Sequence, residues 1–444
     1  MALEFLFRRP GDTTNPAMAR LYGEGSTRGK PYLMGDSEVA GRKKALSLLA
    51  LGGRWGCDGL NKVLYEGGEM PEFVGGVRQW TFHPGTLSTG PGDPVQGLPD
   101  YFPEIGYPLS GYSYWEGLLP PGKEDPGKLE FFMRGLRTMT YETDSRGNLK
   151  EIEPTFNRSP AWAGLDLCFE VGNYSKLRIN RWAGSWIDLD LVAAEPLAWD
   201  KKNADGTPNV IMVPRYDIHV PFGELIDVTT AFSALMMRCP GASFADLQGA
   251  IRIYPTPDRE SIHRFVFDPS QFEVMSNIVK GSFSGTPRDP SLLPNIWFFD
   301  YNDYEDDAWA KKTIAIERES LRKAAGGQWI QAGPFPLGLM YESLAQRIGE
   351  TMVTLACDPP YTTQFDLKGQ ADSYPVGKAS YVWLSHPLAN ATLDDQLLVR
   401  VNREIFEPRR GEKSYTVGVM NPARDYYKDS YHGPKQNPDA PVAP

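Results

Sequence analysis

The chain has 444 residues, 41% hydrophobic, 12% aromatic and 23% charged, with 44 glycines, 38 prolines and a formal charge of −10. That length exceeds one ordinary core and implies two to four domains, and the composition is that of a folded, strand-rich protein rather than a disordered one. A broad nucleic-acid-binding face is disfavoured, because no basic run exceeds Arg42-Lys43-Lys44, and no window holds the ~18 apolar residues of a membrane span, so stable membrane insertion is not expected.

Residues 1–40 contain few periodic apolar positions and many Gly, Thr, Asn and Pro. They read as an extended N-terminal arm with "RLYGEGSTRGKPYL" as a local anchor, of the kind that orders against a neighbouring subunit. The opening "MALEFLFRRPGDTTNP" places its basic residues after the apolar ones and lacks a small-residue cleavage site, so no signal peptide is expected.

Residues 41–158 predict a β domain of short Leu-, Val-, Tyr-, Phe- and Trp-rich runs between Gly and Pro clusters. "SGYSYWEGLL" alternates as a half-buried strand does, and Asp144-Ser145-Arg146-Gly147-Asn148 supplies the turn of a hairpin. At 159–215 the pattern becomes helical. Ser159-Pro160 opens "AWAGLDLCFEVG", with Trp162, Leu165 and Phe169 on one face, and "RWAGSWIDLDLVAAEPLAW" repeats the spacing at Trp182, Trp186, Leu189 and Val192.

Residues 216–338 read as mixed α/β: "YDIHVPF" as strand, a helical period through Leu225, Val228, Phe232 and Leu235, then "AIRIYP" and "IHRFVFD" as strands. The segment 339–425 begins with the helix "LMYESLAQRIGETMVT" and closes with strands "YTTQFDLKG", "ASYVWLS" and the hairpin "QLLVRVNREIFEPRRGEKSYTVGVMN". Residues 426–444 read as a flexible tail. The expected fold class is α+β, mainly β: several domains, with two β-barrel-like domains flanking a helix-containing middle region.

The chemistry-bearing residues do not assemble into a motif. The acidic run Asp300, Asp303, Glu305, Asp306 and Asp307 has no Gly and no spaced terminal Glu for a calcium loop, and lies between "NIWFFDY" and "KKTIAIERE", where charges keep a hairpin tip solvated. Adventitious cation binding and paired carboxylate catalysis are the weaker readings. Cys57, Cys168, Cys239 and Cys357 show no CxxC and read as reduced core residues of a chain made in a cytoplasm; His83, His219, His263, His386 and His432 show no ligand spacing. No catalytic, metal-binding or cofactor-binding residue is predicted. Many tryptophans and tyrosines keep open a carbohydrate-binding or glycan-degrading alternative, although their spacing fits burial better.

The order of several runs resembles a known family. "SPAWAGLDLCFE", "YDIHVPFGELIDVTTAFSALMMRCPG" and "GAIRIYP" follow one another as their counterparts do in phage tail hub proteins of the lambda-like tip-attachment type. The phrase Asn277-Ile278-Val279-Lys280-Gly281-Ser282-Phe283, with Arg288 and Asn295, the acidic turn after it, and Ser343-Leu344-Ala345-Gln346-Arg347 look like that family's strand, hook and helix. "GCDGLNKVLYEGGEMPE" and "FHPGT" resemble the opening strands of related tail-tip proteins. The receptor-reading portions of lambda-like tip proteins have no counterpart after about residue 425.

The resemblance implies a virion protein made in the host cytoplasm: a homotrimeric, non-enzymatic tail hub whose alternating β domains match the sixfold tail tube to a threefold tip and line the DNA exit channel. Implied partners are the tail tube or distal tail protein, the tape-measure protein and the tip or central fibre proteins, with transient contact to genomic DNA. Interface residues are expected in the arm and the hairpin turns, at Arg20, Tyr22, Tyr32, Asp306, Asp307, Arg409 and Arg410.

Overall fold

The computed structural model describes residues 20–28, 30–39, 42–52, 54–65, 68–74, 77–78, 80–83, 110–118, 129–172, 174–202, 207–222, 228–239, 243–247, 250–254, 263–266, 278–279, 281–287, 289–306, 309–357, 361–367, 381–386, 397–407 and 412–419. The chain folds as two compact units. The first takes Met1–Glu142, Lys150–Asn173 and Asp217–Leu235; the second takes Thr143–Leu149, Tyr174–Tyr216 and Met236–Pro444. Each is built from three stretches of the chain.

The first unit opens with β1 (Arg20–Tyr22), β2 (Glu24–Arg28), β3 (Lys30–Val39), β4 (Arg42–Gly52), β5 (Cys57–Tyr65) and β6 (Gly68–Met70). It continues through β7 (Phe73–Val74), β8 (Val77–Arg78), β9 (Trp80–His83), β10 (Ser110–Leu118), β11 (Leu129–Thr143), β12 (Leu149–Phe156) and α1 (Pro160–Asp166). The chain then enters the second unit at α2 (Lys176–Asn180), α3 (Ala183–Ala194), β13 (Pro196–Lys202) and β14 (Pro208–Pro214), and returns for β15 (Val220–Phe222) and α4 (Val228–Met236). The remainder is β16 (Ser243–Leu247), β17 (Ala250–Tyr254), β18 (His263–Val266), β19 (Ser284–Pro287), β20 (Ile296–Asp303), β21 (Lys311–Glu317), α5 (Glu319–Ala324), β22 (Gln331–Met340), α6 (Glu342–Cys357), β23 (Tyr361–Leu367), β24 (Tyr381–Ser385), β25 (Leu397–Glu407) and β26 (Glu412–Val419).

The stretch expected as an extended arm carries three strands, and each has a partner. β1 pairs with β15, β2 with β11 and β3 with β4. Its glycines hide this role from a propensity reading, yet they serve it. The β1–β2 corner crosses β11 so closely that a Cβ on Gly135 would lie 2.1 Å from the Leu21 carbonyl oxygen. Backbone contact takes the place of side-chain packing there, with Gly135 N–H donating to Gly23 O at 2.8 Å.

The first unit also holds the sheet β3-β4-β10-β9 and the sheet β12-β11-β5-β6. Asp144 makes the β11–β12 turn as its residue type predicts: Oδ1 accepts from the Arg146 and Asn148 N–H groups, each at 2.8 Å, and Gly147 sits at φ 77°. Ser159 caps α1, its Oγ accepting from Ala161 N–H at 3.3 Å, with Pro160 in the first turn. A π-helical turn, Leu167–Val171, continues α1.

The second unit contains the ribbons β13–β14 and β16–β17, the sheet β18-β24-β25-β26-β23-β19 and the sheet β21-β20-β22. β20 is central in the last and pairs parallel with β22. Its run "IWFFDYND" is apolar enough to be covered on both faces. α6 spans Glu342–Cys357, a few residues later than its hydrophobic period begins, because Leu339 and Met340 end β22. It presents Leu344, Ala345, Ile348 and Val353 to a cluster with Phe299, Tyr301, Ile314 and Ile316. Gly349 permits that approach, since a Cβ there would stand 2.4 Å from the Ile316 Cδ1.

The architecture is mainly β with helices. The expected barrels differ from what is observed: among the described residues every sheet is open, because the outer strands, such as β18 and β19, pair on one side only.

Candidate interaction surfaces

β1 delivers Arg20 and Tyr22 to α1. Leu21 is buried between them in sequence, so the strand presents two polar groups to one side while its middle residue enters the core. The Arg20 guanidinium donates to Asp166 Oδ2 at 2.8 Å, and the Tyr22 hydroxyl donates to the same oxygen at 2.5 Å. Burial raises the Asp166 carboxyl above the ordinary carboxylate value, opposed by Arg20 and Tyr22, and burial likewise raises the Tyr22 hydroxyl. Arg20 and Tyr22 fasten the first described strand to a helix. Asp166 is the residue that sequence reasoning missed. It lies 146 positions from Arg20, and no local pattern links them.

The same corner carries a buried histidine. Glu24 N–H donates to His219 Nδ1 at 2.9 Å, which leaves the proton of a neutral ring on Nε2, facing Asp217 Oδ1 at 3.4 Å. Arg158 Nε stands 3.2 Å from that oxygen. His219 and Asp217 are too enclosed to meet a substrate, with 0% and 1% side-chain exposure.

The acidic segment in the second unit begins on β20, with Asp300 and Asp303, and runs into the β20–β21 turn, and lysines answer the two acids on the strand. Lys311 Nζ lies 2.7 Å from Asp300 Oδ2, and Lys312 Nζ lies 2.5 Å from Asp303 Oδ2. The Lys311 and Thr313 hydrogen bonds lower the Asp300 carboxyl. Asp303 and Asp306 also organise the turn, accepting from the Glu305 and Ala310 N–H groups. Among the described residues, no group of three His, Cys, Asp or Glu side chains is arranged to hold a metal ion. Asp307, Arg409 and Arg410 lie outside the described residues, as do Asn277, Lys280, Arg288 and His432; Tyr32 is placed in β3 by its backbone, opposite Leu46.

Asn295, one of the residues that carried the family resemblance, is wholly buried. Its Nδ2 donates to Gln328 O at 2.9 Å and its Oδ1 accepts from Ile330 N–H at 3.1 Å, tying the start of β20 to the loop before β22. All four cysteines are buried thiols. His386 stacks on Phe283 with ring centroids 3.8 Å apart, and burial pushes its imidazole down to about 4. No helix among the described residues is long and apolar enough to cross a membrane.

Large apolar side chains are exposed at several places, including Ile152 on β12 (55%), Leu177 on α2 (83%), Leu191 on α3 (66%) and Leu292 (74%).

No protein-family model matches the chain, and no curated protein matches it. Among solved structures, the fold is similar to a chain from the virion of a native gene transfer agent particle, with a TM-score of 0.58 and 13% identity over 96% of this chain and 88% of that one. A tail protein from Neisseria meningitidis MC58 matches with a TM-score of 0.34 at 8% identity, covering 91% of this chain and 96% of that one. The 43 kDa tail protein of prophage MuSo2 from Shewanella oneidensis matches at 0.29 with 10% identity over the same shares, and neither of these two scores supports a common fold. The likeness that carries weight is one of fold, over almost the whole chain.

Proposed function

We propose that the chain is a structural component of a phage-like tail, and specifically its hub: a homotrimer at the distal end that joins the tail tube or distal tail protein to the tip and borders the DNA exit channel. The observation that carries this reading is the likeness over 96% of the chain to a chain of a virion particle. The surfaces are consistent with assembly rather than turnover. The buried polar groups Asp166, Asp217 and Asn295 are spent on internal fastening, while among the described residues the open sheets leave strand edges to which neighbouring chains can add.

A cryo-electron microscopy reconstruction of the tail end of the particle encoding this chain, with threefold symmetry tested rather than imposed, decides the matter. Three copies in a ring beneath the tube are expected. Peripheral copies remove the hub assignment, and absence from purified particles removes the tail role.

A further inference from the structure

We draw no further inference here: the strongest candidate, the exposed apolar face of the β13–β14 ribbon at Val210 and Met212, carries nothing because nothing in the structure shows what covers it.

Discussion

Arg20→Met should destabilise the first unit by ~3–5 kcal/mol, because it leaves the Asp166 carboxylate buried without its cation. The side chains are 19% and 8% exposed, so water cannot readily replace the lost partner. Tyr22→Phe removes only the hydroxyl that donates at 2.5 Å and should cost ~1.5–3 kcal/mol, the range for a hydrogen bond to a charged group. Arg20→Met combined with Asp166→Leu should cost less than the sum of the two single changes, since the stranded charge leaves with its partner. Urea unfolding gives the magnitudes, and hydrogen exchange over residues 20–28 reports on the first unit separately. An Arg20→Met penalty below ~0.5 kcal/mol, or strict additivity in the double variant, would refute the argument that a buried pair fastens β1. The pH dependence has a definite sign. Burial raises the Asp166 carboxyl above its unfolded value, so the folded state holds this proton more tightly. Lowering pH through that interval therefore stabilises the wild type at this site, and the Arg20→Met penalty is largest above the folded value and shrinks on acidification.

His386 predicts the opposite slope. Burial depresses it from 6.5 to about 4, so the unfolded chain takes the proton first and the stability present above pH 6.5 is lost as pH falls towards 4; urea midpoints across that range should flatten in His386→Phe. Asp303→Ala should cost ~1–3 kcal/mol, because it strips partners from Lys312 and the Glu305 N–H. Asp306→Ala should cost under ~1 kcal/mol and leave the fold intact, and unfolding by that substitution or a neutral result at Asp303 contradicts this account of the turn. Asn295→Ala should cost ~2–4 kcal/mol by orphaning the Gln328 carbonyl and the Ile330 N–H, measured as the shift in the urea midpoint.

What local chemistry dictates was readable in the chain. Asp144 through Asn148 had to turn, Ser159-Pro160 had to start a helix, and the apolar period of α6 had to face a core, because each depends on neighbours within a few residues. The hairpin around the acidic run was legible for the same reason, but the run is not all a solvated tip: Asp300 and Asp303 lie on β20, and Asp303 is buried against Lys312. Tertiary structure alone decided that Arg20 and Tyr22 face inward. Their partner is 146 and 144 residues away, and an arginine and a tyrosine at a chain's start carry no mark of whether a carboxylate will meet them. It also decided which strands residues 20–28 and 30–39 pair with, because their partners β15, β11 and β4 are supplied by other parts of the chain, and the close backbone approach of the β1–β2 corner to β11 exists only once the sheets have formed.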